Sequence, residues 1–168
     1  PADHVVAATG ECQNLDALLS TEEKKRLAQA KKSDSPVIIV TQAEAELAEK
    51  TKSSKTKTWI FKATNVRDFA FASSRKFIWD AQNQNVGGKN ILCMSYYPKE
   101  GNPLWERYST KLVAHTIKTY SKYTVDYPYP VAISVHSKWI GMEYPMICFN
   151  GGRPESDGTY SEGEKYGM

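Results

Sequence analysis

Glu143 is the acid whose setting in this chain suggests a task. It stands in Gly141-Met142-Glu143-Tyr144-Pro145, between two β-type runs at residues 131–135 and 146–149. That placement puts a carboxylate at the start of a strand, close behind a glycine. A carboxylate fixed at a strand edge makes a charge-assisted hydrogen bond to a free terminal ammonium. A blocked or internal amine would leave the acid unpaired, and that penalty discriminates between substrates. The exposed backbone of an edge strand can also pair with an extended peptide. The plainer alternative is a solvated strand end, where glutamates usually sit.

Other chemistries find less support. A catalytic zinc takes about three protein ligands, commonly paired on one helix face. The only histidines are His4, His115 and His136; no two share a helical spacing, and no cysteine adjoins one. No complete metal site is expected within the chain. His115 reads as a helix histidine and His136 as a polar strand end. Cys12, Cys93 and Cys148 are odd in number and far apart, which suits buried free thiols better than a disulfide framework or a Cys-x-x-Cys site. No Gly-x-Ser-x-Gly nucleophile elbow is present. Gly87-Gly88-Lys89-Asn90 is too short for a phosphate loop and lacks a Ser or Thr after its lysine. Asp157-Gly158 lacks the acidic spacing of a calcium loop. Ten Tyr, five Phe and four Trp could form a glycan-binding face, but most fall on strand alternation or a helix stripe, where core packing is the default.

Composition narrows the class further. A chain of 168 residues suits one ordinary domain or two incomplete pieces. With 40% hydrophobic and 24% charged residues, wholesale disorder is not expected. A net charge of +3 is too small for a nucleic-acid partner. No apolar run approaches the ~18 residues of a membrane span. The chain opens at Pro1 with neither a Met nor a secretory leader, so its localisation is left unknown.

The elements that must hold these residues follow from pattern. Residues 5–9 read as a short strand ended by Gly10. Ser20 with Glu23, and Thr41 with Glu44, are capping boxes that open helices to about Lys32 and Lys50. Residues 37–40 are an aliphatic strand. The Lys/Ser/Thr run at 50–58 has no apolar side chain and is expected to be a mobile, solvated loop. Residues 59–72 alternate as two short strands split near Asn65, and Phe77 to Trp79 continue the pattern. Residues 82–89 read as a turn around Gly87-Gly88, followed by a strand at 91–97. Asn102 as cap and Pro103 at the first turn open the longest helix. Its expected buried stripe is Trp105, Tyr108, Leu112, Thr116, Thr119 and Tyr123. Tyr127-Pro128-Tyr129-Pro130 ends it. The tail at 150–168 reads as loop.

Taken in order, these segments resemble the zinc aminopeptidase family typified by alanyl aminopeptidase and leukotriene hydrolase. Thr58-Trp59-Ile60-Phe61, then Val66-Arg67-Asp68-Phe69-Ala70-Phe71-Ala72, is similar to the last strands of that family's N-terminal β-domain, and residues 5–11 to the strand before them. The 102–123 helix, its Tyr-Pro pairs and Met142-Glu143-Tyr144-Pro145 follow in the family's order. Ile140 stands where the family has a glycine, and Tyr144 where it has asparagine. The resemblance implies an α+β fold in two parts. Residues 1–83 would end a β-rich N-terminal domain, with a helical insertion at about 16–57. Residues 84–168 would begin a thermolysin-like domain as strand-helix-strand-strand.

It further implies that Glu143 binds the substrate amine, with Gly141 and Met142 shaping the first subsite. Zinc in the full-length protein would activate water, held by an H-E-x-x-H motif and a later glutamate, with a downstream tyrosine at the oxyanion. No H-E-x-x-H occurs here, so the chain is expected to be a fragment without catalytic residues or metal of its own. Its partners would be peptides with a free N-terminus and the remainder of the parent polypeptide. The alternative expectation is a non-catalytic relative that keeps this fold for protein contacts.

Overall fold

A computed structural model describes residues 1–166. In chain order the strands and helices are β1 (Val5–Ala8), β2 (Glu11–Cys12), α1 (Leu15–Leu18), α2 (Thr21–Ala30), β3 (Val37–Val40), α3 (Gln42–Glu49), β4 (Phe61–Lys62), β5 (Phe71–Ser74), β6 (Ile78–Val86), β7 (Lys89–Tyr97), α4 (Leu104–Tyr123), β8 (Val131–His136), β9 (Met142–Tyr144), β10 (Ile147–Asn150) and α5 (Glu162–Tyr166). The chain is α+β, built on one mixed six-stranded sheet of order β3-β6-β7-β8-β10-β9. The β7–β8 and β8–β10 pairs are parallel; the outer pairs are antiparallel. Two small ladders, β1–β5 and β2–β4, stand apart from it.

The local signals for α2 and α3 act as read. Ser20 Oγ accepts from the Glu23 amide while Glu23 Oε2 accepts from the Ser20 amide at 2.6 Å. Thr41 and Glu44 repeat the exchange. Each box satisfies two amides that a helix start otherwise leaves unpaired.

The expected turn at 82–89 shrinks to Gly87-Gly88. Residues 82–86 are strand, paired from Gln82 opposite Cys93 to Val86 opposite Lys89. Both glycines have positive φ, 56° and 79°, which is what a two-residue hairpin loop requires. Polar Gln82 to Asn85 hid this strand, because side-chain polarity does not prevent the backbone from pairing. Strands from both sides of residue 83 therefore share one sheet, and β3, from within residues 16–57, is its edge.

The long helix differs in its cap and its buried face. It starts at Leu104, with Pro103 at the cap position and the Asn102 side-chain Nδ2 donating to the Glu106 and Gln42 side chains. Its buried residues are Leu104, Trp105, Ser109, Thr110, Ala114 and Ile117. Of the expected stripe only Trp105 is fully buried; Thr116 is exposed, and Tyr123 is 73% exposed. Small and hydroxyl side chains let α4 lie close to the sheet, and the hydroxyls have partners there. The aromatic rows chosen from the sequence lie around the helix from that face.

Two further expectations change. The 50–58 run is irregular but tied: Asp3 Oδ2 accepts from the Ser53 amide at 2.9 Å, the Ala2 amide donates to Lys55 O, and Lys57 Nζ donates to Leu18 O. The tail expected to be loop contains α5, opened by a third capping exchange between Ser161 and Glu164; its last two positions lie outside the described residues.

The sheet has two covered faces. Trp79, Met94, Tyr96, Ile133, Val135 and Ile147 pack toward β1 and α2. Ile78, Cys93, Tyr97 and Ala132 pack toward α4.

Candidate functional site

The β9–β10 hairpin carries the candidate residues at the free edge of the sheet. Glu143 is the middle residue of the three in β9 and lies opposite Cys148, with Met142 opposite Phe149 and Tyr144 opposite Ile147. Glu143 is thus within the strand rather than at its first position. Directly opposed residues project to one face. Glu143 therefore shares the α4 face with Cys148, while Met142 and Tyr144 project to the other. Gly141 leads into the strand with φ 79°, and its amide donates to Phe149 O at 3.3 Å. A Cβ there would meet nothing within 4 Å, so positive φ, not space, calls for glycine.

Around the strand, Trp139, Ile140 and Met142 are 79%, 64% and 48% exposed, and Phe69 and Phe71 across from them 56% and 65%. With Tyr144 and Phe149 most of these side chains line an open trough of about 360 Å³. Ile140 packs over Gly151, where a Cβ would come within 2.8 Å of Ile140 Cγ2.

The Glu143 carboxylate is exposed and takes no hydrogen bond or ion pair from any described residue. It is free to receive a cation. Beside it, burial pushes the Cys148 thiol up, and the Glu143 charge adds to this against the Asn150 and Ser134 hydrogen bonds. Cys148 Sγ donates to Ile133 O, so this thiol is a packed structural group.

The three histidines stay apart. His4 Nδ1 meets Ser73 Oγ at 2.7 Å, exposed His115 meets Thr119 on α4, and His136 packs edge-on to Trp105. Burial and the Arg153 charge push His136 down, and its Nε2 accepts from Arg153 Nε. Among the described residues no group of three or more His, Cys, Asp or Glu could hold a metal ion. The described residues offer no ligand set that fits zinc. No described helix is long and apolar enough to cross a membrane.

A second acid went unnoticed in the sequence. Asp80, 1% exposed in β6, accepts from Tyr97 Oη at 2.6 Å and pairs with the Thr110 hydroxyl. Thr110 also lies 2.7 Å from Ser95 Oγ, and Ser95 lies 2.8 Å from Ser109 Oγ. Burial pushes Asp80 up to about 7, against the hydrogen bonds from Thr110 and Tyr97. Two adjacent hydroxyl residues on a helix face, and an acid between two core positions of a strand, were the available signals. Asp80 lies four strands from β9, roughly 19 Å at the usual strand spacing. It belongs to the α4 interface rather than to the edge.

No family model, curated protein or solved structure matches this chain.

Proposed function

We propose that this chain is part of a zinc-dependent aminopeptidase and supplies the strand that binds the substrate's terminal amine. One observation carries the proposal: an exposed, unpaired carboxylate in the middle of a sheet-edge strand, behind a positive-φ glycine. A peptide lying along β9 can pair with its free backbone edge while Glu143 takes the ammonium. In this reading the six-stranded sheet and α4 begin a thermolysin-like domain, and the two small ladders end a β-rich N-terminal domain. Because β6 and β7 form one hairpin, the division falls ahead of β6, and β3 reaches across it to pair with β6. Zinc, its ligands and the general base belong to the remainder of the parent polypeptide.

The test is Glu143→Ala in the full-length protein, assayed on matched peptides with free and acetylated N-termini. Loss of a charge pair desolvated by substrate should lower kcat/KM on the free amine by ~30-fold or more. The acetylated peptide offers no ammonium and should lose far less. Equal activity of variant and parent on free-amine peptides rules the role out.

The exposed Phe69, Phe71 and Trp139 favour a second reading, a non-catalytic relative whose β9 edge contacts other proteins. A full-length protein that binds peptides but never cleaves them would select it.

A further inference from the structure

The outer side of α4 carries a charge pattern that the fold does not use. Arg107, Lys111, His115, Lys118 and Lys122 follow one another at steps of four, four, three and four, and all are exposed. At 3.6 residues per turn they fall within an arc of about 80° and along about 22 Å of the helix. No ion pair among the described residues involves an α4 side chain. Arg107 reaches only the Tyr160 hydroxyl, at 3.4 Å, and His115 meets Thr119. Lys122 Nζ lies 5.4 Å from the centre of the Tyr123 ring. The one acid on the helix, Glu106, lies off this arc and accepts from Asn102 Nδ2. Past the end of the helix, the Asp126 carboxylate lies against Gly87 of the β6–β7 hairpin.

The neighbouring helix is built differently. On α3, Glu44 pairs with Arg26, Glu46 with Lys99, and Glu49 with both Lys76 and Lys99. Like charges one turn apart destabilise a helix, and Arg107 with Lys111 and Lys118 with Lys122 are such pairs. The packed face of α4 holds the helix in spite of this repulsion. A row of cations that costs the fold and has no acid beside it is complementary to an anionic surface.

Shape selects the partner. The inner side of α4 packs on β6, β7 and β8, so the cations stand on a ridge. A ridge meets a plane along its whole length. At its C-terminal end Tyr123 and Val125 are 73% and 75% exposed, and such side chains suit the boundary between lipid headgroups and acyl chains. Clusters of about four or more Lys and Arg on one helix face hold anionic headgroups.

We propose that the outer face of α4 docks on an anionic phospholipid surface, with the helix lying along the bilayer and the sheet behind it. This contact goes beyond the peptidase reading and does not involve Glu143.

The experiment sediments the full chain with vesicles of phosphatidylcholine containing phosphatidylserine, and with vesicles of phosphatidylcholine alone. The chain should bind the first and not the second, and more weakly as salt screens the exposed charges. Each cation near such a surface is worth roughly 5-fold in affinity, so Lys118→Gln should weaken binding by about that factor and Lys111→Gln with Lys118→Gln roughly 25-fold. Glutamine is as good a helix former as lysine, and an unchanged or higher melting temperature certifies the fold. Lys52→Gln with Lys55→Gln makes the same change in net charge in the 50–58 run and should bind as the parent does. Equal binding to the two vesicles, an α4 double variant that binds like the parent, or equal losses in the two double variants overturns the surface. A duplex DNA probe bound more tightly than the anionic vesicles at the same salt assigns the row to nucleic acid and overturns the lipid partner.

Discussion

Two carboxylates on one face of the same sheet are treated in opposite ways. Asp80 lies under α4 with a tyrosine and a threonine hydroxyl on its two oxygens. Glu143 lies four strands away, exposed and without a described partner. A buried polar group must be satisfied inside the fold, so Asp80 serves to fix α4 against β6 and β7. An acid at a free sheet edge is solvated until something binds, so it adds little to the fold and keeps its pairing capacity for a partner. The sheet separates an end that specifies structure from an end that presents chemistry.

The largest test of that division removes Asp80. In Asp80→Ala, Tyr97 loses its acceptor and Thr110 its hydrogen-bond partner on β6, at about 1–3 kcal/mol each. The variant should lose roughly 2–6 kcal/mol of stability in urea denaturation at pH 6. Glu143→Ala should leave the unfolding midpoint where it was. A comparable loss in both variants would erase the comparison.

The pH dependence sharpens it. Asp80 in the fold is raised to about 7 from an ordinary 3.8, so the folded state holds its proton more tightly than the unfolded one. Its contribution is complete below pH ~4 and is lost as pH rises through about 7. His4 and His136 are pushed down, chiefly by burial, which gives a slope of the opposite sign near neutrality. The measurable quantity is therefore a difference between two proteins. The stability of the parent should fall between pH 5 and 8 relative to that of Asp80→Asn, which has no carboxyl to titrate. Parallel curves would show that Asp80 does not titrate there. The hydroxyl chain fits either state: Thr110 donates to the ionised acid, or accepts from the protonated one and donates to Ser95.

What the sequence disclosed follows the same division. Strands and capping boxes were legible because their signals lie within four residues: Ser20 with Glu23, Thr41 with Glu44, the aliphatic run of β3. Glu143 was legible because a glycine and two β-type runs frame it. The α4 face was not, because burial there is decided by which hydroxyls meet Asp80 and Ser95 across the sheet. That pairing spans as many as 30 positions in sequence and has no periodic signature. The strand at 82–86 was obscured because polar side chains at a hairpin end look like a loop. The ties of the 50–58 run come from Asp3, 50 residues away from Ser53, and no local pattern could announce them.

Asp3 gives a third kind of acid to set beside the other two. It is salt-bridged to Arg75 Nε at 2.7 Å and accepts from the Ser53 amide, which together hold its carboxyl well below the usual carboxylate range. It pins a loop rather than a helix. In Asp3→Ala, trypsin should cut after Lys52 and Lys55 several-fold faster than in the parent, while the α4 cooperative unit melts unchanged. Equal cleavage rates would mean that these bonds do not restrain the run.

The smallest effect is expected at Trp139, and its smallness is informative. Removing a buried tryptophan such as Trp105, which is 0% exposed and donates to Gly152 O, should cost ~3–5 kcal/mol. Trp139 is 79% exposed and stacks on no other ring among the described residues. Its replacement by serine removes almost no buried area, so stability should stay within about 0.5 kcal/mol of the parent. What should change is the surface. The trough beside β9 loses its largest apolar wall, and binding of a hydrophobic dye such as ANS should weaken. A stable variant with weaker dye binding would mean that the edge carries apolar surface the fold does not need, which is the condition for a contact site. A clear loss of stability would mean that Trp139 is packed in solution, and the β9 edge would then belong with Asp80 on the structural side.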